Sequence, residues 1–294
     1  MASLKEVRNR ISSVNSTQQI TKAMKMVSAA KLRRATDAIV QMRPYSKKLA
    51  ELISTVSSKT EAGLENPFTE IRDINRVLII VVTSDRGLCG AFNTNIGKAT
   101  IQLIKEKYQS QLEKGNLEIL TLGKKGYEYI SRRGYSVDGK YTEVFSDLSF
   151  NHVKEIGEYV LDKFKNKEFD KVDIIYNEFK NVATQIIQIE DFLPLVEQSS
   201  TEGQGSSADY TFEPNEATII NELIPKSLKL SIYRALLESN ASEHGARMTA
   251  MDKATDNAGE LLKSLKLEYN RSRQAAITTE ILEIVGGAEA LASS

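Results

Sequence analysis

The first 60 residues contain no glycine and a single proline, Pro44, and residues 226–285 contain no proline and two glycines. At 1.5 Å rise per residue, each stretch is long enough for a helix of roughly 80–90 Å. Rods of that length are stabilised mainly by packing an apolar face against something else. They must pair with each other or with another molecule, so the sequence points to a mechanical or interaction role before a pocket-based one.

Both rods carry a heptad seam. In the N-terminal arm Leu4, Val7, Ile11 and Val14 recur at steps of three and four, as coiled-coil packing requires. Ala35, Ala38, Met42, Tyr45, Leu49, Leu52 and Val56 resume the pattern. Between these runs the seam turns polar or small at Thr17 or Gln18, Thr21, Ser28 and Lys31, and Ile20, Met24 and Val27 fall out of phase. A phase slip of that kind changes local winding. Pro44 cannot donate to the carbonyl four residues back, which predicts a bend near Val40. In the C-terminal arm Ala241, His244, Met248, Met251, Thr255, Ala258, Leu262, Leu265 and Tyr269 hold the alternation, and Ile277, Ile281, Ile284, Ala288 and Leu291 hold it in a shifted phase. Pro225 predicts a break before this arm, and Phe212-Glu213-Pro214 reads as the start of a shorter helix. Two pairings fit: the arms meet antiparallel within one chain, or each dimerises with another copy.

Charge is balanced overall at 39 basic and 39 acidic residues, so no bulk field favours nucleic acid. The balance fails locally. Met1 to Arg34 holds eight basic side chains (Lys5, Arg8, Arg10, Lys22, Lys25, Lys31, Arg33 and Arg34) against Glu6 alone. A basic, serine-rich amphipathic arm also fits a mitochondrial transit peptide, but its helical pattern continues far past the length of one. Cys89 is the single cysteine, which excludes an intrachain disulfide and a thiolate zinc cluster. No apolar run is long enough to span a bilayer.

The middle of the chain reads as an α/β domain. Arg76–Thr83, Leu117–Leu122, Val172–Phe179 and Val182–Ile189 are predicted strands. Helices are predicted after the first strand, over Lys125–Arg133 and over Phe150–Lys165. Strands alternating with helices predict a mainly parallel sheet, and the short Lys180-Asn181 link predicts an antiparallel hairpin at one edge. The division expected is 1–60 for the N-terminal helix, 68–197 for a Rossmann-like domain, 198–212 for a polar linker and 213–294 for the C-terminal helices.

No catalytic set emerges. The loop after the first strand is where such folds bind phosphate, yet Gly87 and Gly90 are spaced G-x-x-G and lack the lysine and hydroxyl of a P-loop. Cys89 beside Arg86 is a candidate activated thiol, weighed against a small buried side chain. His152 and His244 lie on separate predicted helices without metal-ligand spacing. A Rossmann-like enzyme with helical oligomerisation arms is the alternative class.

The residues themselves resemble a known family. Lys5-Glu6-Val7-Arg8-Asn9-Arg10-Ile11 with Thr17–Val27, the strand-loop Thr83-Ser84-Asp85-Arg86-Gly87-Leu88-Cys89-Gly90-Ala91-Phe92-Asn93, and Ser242–Met248 with Ala254–Ala258 resemble the gamma subunit of F-type ATP synthase. Ile277-Thr278-Thr279-Glu280-Ile281-Leu282-Glu283-Ile284-Val285-Gly286-Gly287-Ala288-Glu289-Ala290 fits that family's C-terminal signature in full. The resemblance implies an antiparallel coiled coil of the terminal helices plus a central Rossmann-like domain. It implies a central-stalk rotor, without catalytic residues or cofactor, inside a ring of three alpha and three beta subunits. The α/β domain would bind epsilon and the membrane c-ring, and ion flow would turn rotor and ring together.

Residue roles are implied in the same way. Arg247 and Gln274 match positions that hydrogen-bond loops of the beta subunits. Thr278, Glu280 and Glu283 lie in the signature helix at the top of the ring, and Met24 lies near an acidic segment of beta. Lys25 departs from the acid many relatives carry there. That acidic segment would attract Lys22, Lys25, Lys31, Arg33 and Arg34. With Cys89 alone, the dithiol switch of chloroplast relatives is not expected. The motif starts at Lys5, so the expectation is a bacterial protein, peripheral on the cytoplasmic face of the inner membrane.

Overall fold

A computed structural model describes residues 4–59, 67–195 and 216–292. The chain divides into two compact units, residues 1–28 with 248–294, and residues 29–247. Helix α1, Leu4–Lys59, and helix α6, Glu216–Ala292, each contribute to both. Between them come β1 (Val77–Val82), α2 (Phe92–Lys107), α3 (Gln109–Glu113), β2 (Leu117–Leu122), α4 (Lys124–Ser131), β3 (Val137–Asp138), α5 (Phe150–Lys165), β4 (Lys171–Phe179) and β5 (Gln185–Leu193).

In the first unit the two arms pair with each other. Gln18 Nε2 donates to the Thr255 carbonyl at 3.4 Å, Thr255 Oγ1 meets Thr21 Oγ1 at 2.8 Å, and Lys25 forms an ion pair with Asp252. Position rises along α1 as it falls along α6, so the helices are antiparallel. Every seam position expected on α6 from Met248 to Tyr269 is at least partly buried. On α1 the seam is Leu4, Val7, Ile11, Val14, Gln18, Thr21, Lys25 and Ser28, in unbroken steps of three and four. The expected slip is therefore absent. Ile20 and Val27 are simply exposed, and polar side chains keep the phase. A polar residue at such a site costs stability and fixes register.

The second unit is the α/β domain with the adjoining helix segments. Its α1 seam runs Leu32, Ala35, Ile39, Met42, Ser46 and Leu49. Ile39 and Ser46 replace the expected Ala38 and Tyr45, and Tyr45 is exposed. Both spacings obey the heptad, and burying Ile39 removes more apolar area than burying Ala38. The helix continues through Pro44.

The sheet order is β3-β2-β1-β4-β5, parallel except for β5. All six residues of β1 are fully buried, as expected for a central strand covered on both faces. The expected hairpin is present, with a longer connection from Lys180 to Thr184. One face packs Leu78, Ile80, Val82, Leu120 and Ile174 against α5 and α6 through Val153, Ile156, Phe164, Leu228, Ile232 and Leu236. The other packs Val77, Ile79 and Ile119 against Ile96, Leu103, Ile104 and Ile130 of α2 and α4. Lys229 of α6 crosses so near Gly157 of α5 that an added Cβ would meet its side chain at 2.7 Å.

α6 is a single helix from Glu216, so Pro225 does not break it. An isolated helix loses about 3 kcal/mol at an internal proline. Here buried Ile224 and Leu228 on either side anchor that turn in the sheet core, each side chain worth about 1.5–3 kcal/mol. The linker expected at 198–212 and the helix start expected at Phe212–Pro214 lie outside the described residues.

Candidate functional site

A doubly wound sheet takes ligands outside the carboxyl ends of its strands, where the winding reverses. Here α2 and α4 lie on one face and α5 on the other, so the reversal falls between β1 and β4. The three leading N–H groups of α4, which would face an anion, are already bound. Lys124 N donates to Asp85 Oδ1 at 3.3 Å, Lys125 N to the Ser84 carbonyl at 3.0 Å, and Gly126 N to Thr83 Oγ1 at 2.8 Å. Gly123, at φ +114°, lies so close to Thr83 that a Cβ would stand 2.4 Å from its carbonyl oxygen. Burial raises the Asp85 pKa, against the pull of its bond from Lys124. The N-terminus of α4 is thus closed by the chain's own carboxylate, hydroxyl and carbonyl.

The crevice between β1 and β4 is filled by α6. Phe179 N donates to Glu238 Oε2 at 3.1 Å, and Arg43 of α1 donates to Glu238 Oε1 at 3.2 Å. Ser242 Oγ donates to the Asn177 carbonyl at 3.2 Å. On the opposite rim, Arg247 Nη2 donates to the carbonyls of Arg86 and Gly87 at 3.1 and 3.2 Å, and Nε reaches Gly87 at 3.4 Å. Its Nη1 bonds Glu243 Oε1 at 2.6 Å and His244 Nδ1 at 3.3 Å. A guanidinium has five N–H donors, and all five find acceptors within the chain. Since Arg247 can only donate, His244 Nδ1 accepts and carries no proton. Burial, then the charges of Arg247 and Lys31, push the His244 pKa down to about 4. Burial raises Glu243, with Arg247 opposing.

The loop so held is a tight one. Ser84 N donates to Asn93 Oδ1 at 3.0 Å, and Asn93 Nδ2 donates to Ser84 Oγ at 2.8 Å and to Cys89 Sγ at 3.3 Å. Cys89 is 2% exposed and its thiol pKa is raised, chiefly by burial. That favours the packed-thiol reading over an activated nucleophile. Leu88 sits at φ +64° and is 64% exposed. A branched side chain in the left-handed region is strained, and the loop spends that strain to point Leu88 outward while Cys89 points in.

Of the side chains expected to meet partners, Arg247 is 8% exposed and occupied internally. Met24 is half-buried, and Lys25 is the half-buried partner of Asp252. Gln274, Thr278, Glu280 and Glu283 are exposed. Around them Ile277, Ile281, Leu282, Ile284 and Val285 are exposed too. Lys22, Lys31, Arg33 and Arg34 of α1 are each exposed.

Sequence reasoning missed Glu238 and Asn177. A usable signal existed for α6 itself. Leu228, Leu230, Ile232, Ala235, Leu236 and Leu237 surround α6 rather than striping it, which marks a helix buried all round.

A family profile described as ATP synthase matches residues 3–291. The ATP synthase gamma chain of Cytophaga hutchinsonii is 58% identical over 293 residues, covering 99% of both chains. Those of Flavobacterium johnsoniae and Chlorobium phaeobacteroides are 52% and 50% identical, again over 99% of each chain. Among solved structures, a chain of the central stalk and c-ring assembly of Tetrahymena thermophila mitochondrial ATP synthase aligns with a TM-score of 0.56 at 25% identity, covering 80% of this chain and 99% of that one. A chain of the Euglena gracilis mitochondrial enzyme shares the fold with a TM-score of 0.67 at 23% identity, covering 98% and 94%. A paired-helix stalk with a ligand crevice closed by its own helix, and this extent of likeness, lead to one assignment: the chain belongs to the ATP synthase gamma chain family.

Proposed function

We propose that the chain is the non-catalytic central shaft of a bacterial ATP synthase. It turns with a membrane c-ring and drives the beta subunits of an alpha3-beta3 ring through their binding states in succession. Coupling between distant sites requires differential contacts in each state, and an off-axis rod supplies them. The observation that carries this reading is the C-terminal end of α6. Ile277, Ile281, Leu282, Ile284, Val285 and Leu291 are exposed there, although such an apolar surface normally marks an interaction site. Gly286 and Gly287 lie in the same helix, and a Cβ on either would meet nothing within 4 Å. Glycine costs a helix about 1 kcal/mol. Nothing among the described residues requires that cost, whereas a closely fitting collar would.

Gln274, Thr278, Glu280 and Glu283 are then contacts to that collar, and Met24, Lys25 and the exposed basic residues of α1 face an acidic segment of beta. The α/β domain joins the shaft to epsilon and the c-ring. No described helix is long and apolar enough to cross a membrane, which fits attachment through those partners at the cytoplasmic face of the inner membrane. The enzyme alternative loses its support with the crevice, which Glu238, Ser242 and Arg247 of α6 fill. Affinity isolation after mild detergent release should recover alpha- and beta-type subunits with the chain. Their absence, or nucleotide turnover by the purified chain, would refute the reading.

A further inference from the structure

We propose that Arg247 is a positioning residue that locks the β1–α2 loop to α6, so that sheet and shaft helix turn as one body. The second half rests on the shaft reading; the first does not.

Arg247 gives three of its hydrogen bonds to loop carbonyls, of Arg86 and Gly87, and none of these depends on a loop side chain. Its charge is balanced by Glu243, four residues back on the same helix and itself buried. An ion pair so enclosed adds little net stability and is a poor choice for packing alone. It does hold a planar fork of donors in a fixed direction. The loop contributes the complementary half: backbone carbonyls turned towards α6 and Cys89 buried against Ser84 and Asn93. On the far rim Ser242 and Glu238 bind Asn177 and Phe179 of β4. Helix α6 is therefore gripped from both sides of the crevice. Without the grip at Arg247, rotation of α6 about its axis would be resisted on one rim only. Arg247 thereby acts through the loop, which presents Arg86 and Leu88 outward.

Cys89 reports directly on the lock, being the single cysteine and shielded by the loop. Maleimide labelling of the purified full-length chain under native conditions measures how often the loop opens. Arg247→Ala should raise the labelling rate about tenfold or more. Arg247→Lys, which keeps the charge but not the fork, should give an intermediate rate. Ser242→Ala, on the opposite rim, should label as slowly as the parent. In the assembled membrane complex, Arg247→Ala should lower protons pumped per ATP hydrolysed by about half or more, with partial rescue by lysine. Parent-like labelling of Arg247→Ala, or equal acceleration by Ser242→Ala, would overturn the lock. Faster labelling with undiminished pumping per ATP would overturn its role in turning. Should the alanine variant not fold, the lysine variant decides alone, and a parent-like rate for it overturns the proposal. Failure of the chain to assemble with a ring would count against the shaft reading and leave the labelling result standing.

Discussion

Asp173 offers the sharpest test of the energetics inside the α/β domain. It stands on β4 with its side chain fully buried. Tyr108 Oη donates to Oδ2 at 2.6 Å, while Oδ1 has no hydrogen-bond partner. The nearest cation, Lys171 Nζ, is 3.9 Å from Oδ1 and is drawn to Asp191 at 2.8 Å. Burial therefore dominates and raises the Asp173 pKa from 3.8 to about 6, with Tyr108 and Lys171 opposing and Asp191 adding to the rise. The sign follows from proton linkage. Between pH 4 and 6 the folded chain holds this proton more firmly than the unfolded chain, so folding stability falls as pH rises through that window. Above it the full cost of the buried charge is present, about 3 kcal/mol at 1.36 kcal/mol per pKa unit. Asp173→Asn has nothing to titrate. Its amide oxygen can still accept from Tyr108, as the neutral carboxyl of the parent does below the window. The variant should thus be more stable than the parent by about 3 kcal/mol at pH 8 and within about 1 kcal/mol of it at pH 4. Urea unfolding of both proteins across this range, followed by tyrosine fluorescence, gives the difference directly, and other titrating groups cancel. A difference independent of pH, or one that falls as pH rises, would refute the assignment of a strained buried carboxylate.

His244 should show the opposite slope. Its folded pKa of about 4 lies below the ordinary 6.5, so stability drops by about 3 kcal/mol as pH falls from 7 to 4. His244→Gln, which keeps an acceptor for Arg247, should flatten that fall in the same urea series. In the coiled coil, Leu265→Ala should cost about 2–5 kcal/mol because its side chain is buried. Ile20→Ala, at an exposed site, should change stability by less than about 0.5 kcal/mol; thermal melts of the purified chain distinguish the two, and equal losses would restore the phase slip. Gly286→Ala and Gly287→Ala should leave the isolated chain as stable or more so, by up to about 1 kcal/mol each, yet weaken recovery of the assembled ring in pull-downs.

The legible parts of this fold were those in which one residue pattern has one physical solution. Val77–Val82 is apolar throughout and can only be a covered strand. Phe150–Lys165 stripes Val153, Ile156, Val160 and Phe164 along one face and can only be an amphipathic helix. β3 was invisible because a two-residue strand carries no periodicity. The seam of α1 was ambiguous where Ala38 and Ile39, or Tyr45 and Ser46, both satisfy the heptad, and only the facing helix chooses. Its polar stretch was misread because Gln18, Thr21 and Ser28 look like a break, whereas a hydroxyl pair such as Thr21 and Thr255 packs well once both helices are present. Arg247 was legible as a chemistry and not as a direction. Whether its five donors turn outward or inward depends on the carbonyls of Arg86 and Gly87, 161 and 160 residues away in sequence.

That direction bears on how a sheet with a ligand-binding topology can serve a mechanical end. In such a fold the crevice between β1 and β4 is where backbone polar groups converge, and they must be satisfied by something. A nucleotide would satisfy them reversibly. Here Glu238, Ser242 and Arg247 of α6 satisfy them permanently, through the Phe179 N–H and the carbonyls of Asn177, Arg86 and Gly87. All four of those groups are main chain, so the grip does not depend on which side chains the two rims carry. Their partners lie on one helix within ten residues, about two and a half turns. A force applied to the sheet thus reaches α6 through several bonds at once, at different angles around its axis. Apolar contact in the core below resists separation but resists sliding weakly, because it is non-directional. The directional bonds in the crevice are what oppose rotation, and they stand where the fold would otherwise hold its substrate.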